Sequence, residues 1–145
     1  MSLTKNVKIT VVAAAAAAAQ TAVEGSILDM AGYDGVLFVA LTGDVTDTAV
    51  LTLKAQQNTA NSTSGMADLV GTAAFTAGAS DADNKGLALD VHKPRERYVR
   101  AVLTRGTANA AVSGIIAIQY DARRKPTAHD ASVIAQALIK DPNEV

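Results

Sequence analysis

The chain alternates apolar and polar residues over short stretches. Val7, Ile9 and Val11 are interleaved with Lys8 and Thr10, and Leu51 and Leu53 oppose Val50, Thr52 and Lys54. A period of two marks a strand with one buried face. On this pattern strands are predicted over residues 7–12, 21–29, 36–42, 49–57, 66–76, 87–91, 97–104 and 113–120. The stretch VLFVALT at 36–42 is nearly all apolar, as a central strand requires. Turn residues separate these stretches. Residues 32–35 (GYDG), 43–47, 58–65 (NTANSTSG) and 77–86 read as turns or polar loops, and Gly25 is placed at a bulge. The last two strands are predicted to form a hairpin joined by residues 105–111. Strands repeating every 10–15 residues or so predict an all-β fold. We expect an antiparallel β-sandwich or jelly-roll-like barrel of about eight strands with a short C-terminal helix.

Two segments depart from the alternation. Residues 13–19 are seven consecutive alanines. Lys5, Lys8 and the small residues after them imitate a secretion signal. The alternation at 7–11 favours a strand instead. Alanine also favours helix, but β-branched residues flank the run, no capping residue precedes it, and a helix this short is marginal. The run is therefore expected to be extended or irregular, with its backbone close against another surface at Ala16. Beyond Pro126 the period changes. Asp130 suits a helix cap, Val133, Ile134, Ala137 and Leu138 share a helical face, and Asp141-Pro142 ends the element. The predicted organisation is a β-sandwich or barrel domain with an extended N-terminal segment over 1–127 and a helical tail over 128–145.

Composition adds one constraint. The 145 residues include five aromatic side chains, Tyr33, Phe38, Phe75, Tyr98 and Tyr120, and alanine supplies much of the apolar count. Alanine buries little area, so the core is expected to be thin and subunit contacts are expected to add stability. The net charge of −1 conceals a split: residues 1–92 hold four basic and nine acidic residues, whereas 93–145 hold nine basic and five acidic. Such a division suits complementary contacts between copies or with a partner.

Candidate chemistry is sparse. There is no cysteine and no apolar run of the roughly 20 residues that a membrane helix needs. His92 and His129 stand outside any metal-ligand or nucleophile spacing. Asp81, Asp83 and Gly86 imitate a calcium loop, but Lys85 takes its fifth position and His92 its twelfth, where oxygen ligands belong. No enzymatic activity, cofactor, metal or small-molecule substrate is expected. The basic residues cluster at 93–100 (KPRERYVR) and 123–125 (RRK). Phosphate binding is one use for them. The slight acidity of the chain and its few aromatics favour protein contacts instead. Arg95, Arg97 and Arg100 are expected to meet carboxylates on another chain, with Arg123 and Arg124 at the same kind of interface.

Two stretches, LDMAGYDGVLFVALTG at 28–43 and RYVRAVLTRGTANAAVSGIIAIQYDARRKPT at 97–127, resemble small β-rich virion proteins of tailed bacteriophages. The resemblance spans roughly residues 20–127 and rests on strand and turn order rather than on a catalytic signature. It implies a head decoration, or cement, protein that binds the major capsid protein and stabilises the shell. It also implies a homo-oligomer, most often a trimer, on the capsid surface of a virion made in the host cytoplasm. Nucleic acid and membrane are not among the implied partners. Two other readings stay open: a tail-tube or head-completion subunit, and a carbohydrate-binding β-sandwich.

Overall fold

The computed structural model describes residues 2–143. A 3-10 turn, Leu3–Lys5, precedes eleven strands. They are β1 (Lys8–Ala13), β2 (Ala16–Ala19), β3 (Val23–Glu24), β4 (Leu28–Asp29), β5 (Gly35–Val45), β6 (Val50–Asn58), β7 (Ala67–Asp68), β8 (Ala73–Thr76), β9 (Gly86–His92), β10 (Tyr98–Gly106) and β11 (Ala110–Tyr120). One sheet runs β1-β11-β5-β9 with β2 also on β11. The other runs β3-β10-β6-β7, with β4 on β10 and β8 on β6. Every pairing is antiparallel. Counting β2 with β1, β4 with β3 and β8 with β7 leaves eight strand positions, four to a sheet. Successive positions alternate between the sheets in the first half, which is the winding of a jelly roll.

The period-two pattern places the core. Leu51, Leu53 and Ala55 on β6 and Val99, Ala101 and Leu103 on β10 face Phe38 and Ala40 on β5 and Ile115 and Ala117 on β11. Small and large residues alternate across this layer, and Phe38 is the one aromatic side chain buried in it among the described residues. The thin core expected from composition is therefore present.

Four expectations need correction. First, β10 and β11 do not form a hairpin: they belong to opposite sheets, with β10 on β6 and β11 on β5. Alternation shows that a strand has two faces but not which strand lies beside it. Second, residues 43–45 continue β5, and the turn falls at 46–49 where Thr46 O accepts from Ala49 N at 3.1 Å. Third, residues 21–29 and 66–76 each hold two short strands, Val23–Glu24 and Leu28–Asp29 in the first, and Ala67–Asp68 and Ala73–Thr76 on either side of Gly71 at φ +107° in the second. Fourth, the described part of the C-terminal tail contains no helix. Glu144 and Val145 lie outside the described residues. Asp130 Oδ2 accepts from Ser132 N at 2.9 Å, which makes a local turn rather than a helix cap.

The tail instead covers a sheet edge. Thr127 N donates to Lys5 O at 2.9 Å and Asp130 N to Ile9 O at 3.2 Å. Ile9 N donates to His129 Nδ1 at 2.9 Å, and Val11 N donates to Ser132 Oγ at 2.9 Å. Residues 127–132 thus satisfy the outward backbone groups of β1, which would otherwise be an open template for pairing. The opposite edge of the same sheet, β9, has no such cover.

The alanine run is extended, as expected. Ala16 pairs with Val112 and Ala19 with Ala110 on β11. What holds it is Arg105, at the end of β10. This side chain is 5% exposed and donates to Thr21 O and Ala17 O, both at 2.7 Å, to Ala110 O at 2.6 Å and to Thr21 Oγ1 at 3.1 Å. One guanidinium therefore ties the alanine strand, the following turn, β10 and β11 together. Replacing it with Met leaves one buried carbonyl, Ala110 O, and two part-buried ones without donors, at about 1–3 kcal/mol for a group fully desolvated and less for the others. Arg105→Met is expected to cost about 3 kcal/mol and to lower Tm by roughly 6–12 °C in calorimetry. An unchanged Tm would show that the clamp is dispensable.

Candidate interaction surface

Among the described residues no group of three or more His, Asp or Glu side chains is arranged to hold a metal ion. The acidic pair in the would-be calcium loop has structural work. Asp81 Oδ1 accepts from Gly78 N at 2.7 Å and Asp83 Oδ1 accepts from Val45 N at 2.8 Å. A second titratable group forms on the outer face of the β9-β5-β11 sheet. Tyr120 donates to Asp90 Oδ1 at 2.5 Å and stacks in parallel on His92 with ring centroids 6.0 Å apart. Gly35 on the intervening strand makes room, since a β-carbon there would overlap the Tyr120 ring. Burial, and then the bond to the Asp90 carboxylate, raises the Tyr120 phenol above its ordinary value. The cluster cross-links three strands.

The arginines singled out from the sequence fall into distinct settings. Arg97 lies just before β10 and makes a two-pronged contact with Asp29 on β4, Nε to Oδ1 at 2.9 Å and Nη2 to Oδ2 at 2.8 Å. Its guanidinium also lies over the Tyr98 ring, 5.2 Å from the centroid. Arg100 is 8% exposed on the outward face of its sheet. It donates to Gln56 Oε1 at 2.8 Å and pairs with Glu24 at 3.4 Å. Gln56 donates onward to Asp68 at 2.7 Å, and Asp68 pairs with Lys54 at 3.1 Å. A polar chain thus crosses β3, β10, β6 and β7. Arg123 meets Asp34 at 3.4 Å. Arg95 and Arg124 form no ion pair among the described residues, and Arg95 contributes its backbone N–H to Gln57 Oε1 at 3.1 Å. Ala16 is half-buried against the core of its own chain, while Ala14, Ala15, Ala17 and Ala18 are exposed.

The fold only partly cancels the charge split. The pairs Arg97–Asp29, Arg100–Glu24 and Arg123–Asp34 join cations of the second half to anions of the first. What remains is sorted along the strands only in part, since Glu96 and Asp121 lie at the basic end and Lys85 at the acidic one. Lys93, Arg95, Arg124 and Lys125 lie beyond the ends of β9 and β11, and a groove of about 600 Å³ at this end is lined by Tyr33, Lys93, Arg95 and Arg123 among others. Asp44, Asp47, Asp81 and Asp83 lie at the opposite end, around the start of β6 and β9.

The two flanks of the sandwich also differ. On one, Ser26 N donates to Val12 O at 2.8 Å and Gly25 N to Ala101 O at 2.8 Å, so the sheets are stitched together. A β-carbon at Gly25 would stand 3.0 Å from that Ala101 carbonyl oxygen, which explains the glycine. On the other flank, no backbone hydrogen bond joins β9 to β7 or β8 among the described residues. A groove of about 390 Å³ opens there over Leu51, Ala73, Phe75, Ala82 and Leu87. Alternation gives the inward positions of β9 but carries no signal that this flank stays open.

Two substitutions test these contacts. Arg97 holds the Asp29 carboxyl at about 2, well below its ordinary value. Because the folded value is depressed, the contribution is present above about pH 4 and is lost as pH falls toward 2. Both partners are about half exposed, so the pair is worth about 0–1 kcal/mol. Asp29→Asn is expected to remove that amount at neutral pH and to flatten the acid limb of a urea-denaturation series. Equal acid sensitivity in both proteins would count against the pairing. Arg100→Glu sets a second carboxylate beside Glu24 in a nearly buried position. It is expected to lower the stability of the isolated chain by about 2 kcal/mol, partly recovered by adding Glu24→Arg. Stability equal to the parent's would mean that Arg100 serves another chain rather than its own.

In comparisons with known proteins, no family model and no curated protein matches the chain. Among solved structures the chain is similar to Eiger TNF from S. frugiperda, at 11% identity and a TM-score of 0.38, with 97% of this chain and 92% of that chain covered.

Proposed function

We propose that this chain is a structural protein of a tailed-bacteriophage virion, a decoration protein that seats on the head shell as a homo-oligomer, most simply a trimer. The observation that carries the reading is the use made of its polar residues. Asp81, Asp83, Asp90, Arg97, Arg100 and Arg105 all hold backbone or neighbouring strands in place. The surface left over is an open apolar flank, an alanine ribbon with almost no side chains, and two ends of opposite charge. Those are features for docking against protein. The order of strands and turns at 28–43 and 97–127 supports the same reading. On it the chain is not an enzyme and works as a rigid wedge between capsid subunits. Its partner is the major capsid protein, and Arg95 and Arg124 are the singled-out arginines free to meet shell carboxylates.

Particles purified on a density gradient from cells that encode the chain test this. An antibody against the chain is expected to label intact heads in electron microscopy, in a regular array. Label confined to tails or to the head–tail junction would transfer the chain to the tail-tube or head-completion class. Absence from particles, with salt-sensitive retardation of duplex DNA by the purified protein, would replace the reading with a nucleic-acid role.

A further inference from the structure

The largest unexplained feature is apolar surface at two separate places. Past Ser132 the chain leaves the body as an arm on which Ile134 is 97% exposed, Ile139 71% and Leu138 50%. Around the open flank, Phe75 on β8 is 45% exposed beside the groove between β8 and β9, and Leu41 on β5 is 47% exposed on the outer face of the adjoining sheet. The arm has no body to lie on and the groove has no occupant. We propose that residues 133–140 of one copy lie in extended form along β9 of a second copy, adding a strand to its free edge and closing its groove.

Three observations fit the arm to this place. The first is its residue pattern. As a strand, Val133, Ala135, Ala137 and Ile139 form one wholly apolar face, suited to the groove over Leu51 and Leu87. Ile134 and Leu138 fall on the other face, toward the outward side of β9, where Gly86 leaves Leu41 uncovered. That second face also carries Gln136 and Lys140, so this position covers the wholly apolar face and leaves the mixed one toward solvent. The second is the edge itself. β9 pairs with β5 on one side and turns the backbone groups of alternate residues to the other, with Asp90 as the one carboxylate along it. The chain already covers the opposite edge of the sheet with residues 127–132, immediately before the arm. The third is reach. Ser132 is fastened to Val11 on β1, and β11 and β5 lie between that edge and β9. Three strand spacings of roughly 4.8 Å separate the two edges, so a docking in the same copy would drag the arm across the outer face of the sheet. A neighbouring copy presents the groove with no such crossing. Each copy then gives one arm and receives one, a head-to-tail contact that closes into a ring when the rotation between copies permits.

The inference rests on the homo-oligomer in the function proposed above, and it is tested on free protein without particles. The chain has no cysteine, so introduced thiols have no background. Ala88→Cys on the outward side of β9 and Gln136→Cys on the arm would be mixed as separate chains and oxidised. A disulfide-linked heterodimer is expected on a non-reducing gel, exceeding either homodimer severalfold. In parallel, Ile134→Asp, Leu138→Asp and Ile139→Asp together are expected to reduce the light-scattering mass from a multiple of the chain to the 14.8 kDa of a single copy, with Tm retained. A parent protein that is monomeric at micromolar concentration, an oligomer that survives the three substitutions, or a disulfide that closes only within a chain carrying both cysteines would each overturn the inference. A cross-linked ring that never appears on heads would sink the decoration role and leave this interface standing. Labelled heads with no cross-link would do the reverse.

Discussion

The fold depends on a buried cation with no carboxylate beside it. Arg105 sits at the end of β10 where both sheets must be joined, and it offers its N–H groups to three backbone carbonyls and one hydroxyl. A charge that has left water needs such compensation. Three of its acceptors come from residues 17–21, so the guanidinium orders a stretch whose side chains have almost no packing of their own. Alanine lets the backbone come close enough for this. The run is therefore better understood as the acceptor half of a clamp than as a helix former displaced from its preferred state.

The same economy governs the rest of the polar residues. Gln119 is buried at the end of β11 and donates to Asp29 O at 3.0 Å, fastening the edge strand β4 whose carboxylate in turn holds Arg97. Gln57 accepts from the backbone of both Arg95 and Glu96 and shapes the basic loop. Gln56 relays between Arg100 and Asp68 across the outer face. With few aromatics and many alanines, hydrophobic burial is modest, and these bonds direct the short strands where packing alone would specify them weakly.

The asymmetry between the flanks gives the molecule a direction. One side is sewn shut through Ser26 and Gly25, and the β1 edge is covered by the tail. The other side keeps a free edge and an apolar mouth. Residual charge is divided between the two ends of the sandwich. The arm that projects from the closed side carries exposed apolar residues of its own, Ile134, Leu138 and Ile139.

By itself the sequence determined the class of fold and most of its elements. Side-chain period reports which residues of a strand share a face, so Leu51 and Leu53 were set apart from Val50, Thr52 and Lys54 before any partner was known, and the fold buries both. Glycine and polar clusters likewise gave the loops at 58–65 and 77–86. Which strands pair is a long-range matter that local alternation cannot encode. β10 and β11, adjacent in sequence and both strongly strand-forming, therefore read as a hairpin yet lie in opposite sheets. The tail was misread for a related reason. Helical spacing of Val133, Ile134, Ala137 and Leu138 records a possibility, and a helix that short needs a surface to pack on. The competing backbone bonds to β1, made through His129 and Ser132, fix the chain in an extended path just upstream. The arginines show the limit most plainly: their number and clustering were written in the sequence, but only the tertiary structure decided that Arg105 is internal, Arg97 and Arg100 are paired within the chain, and Arg95 and Arg124 face outward, because each outcome depends on carboxylates and carbonyls brought near from distant parts of the chain.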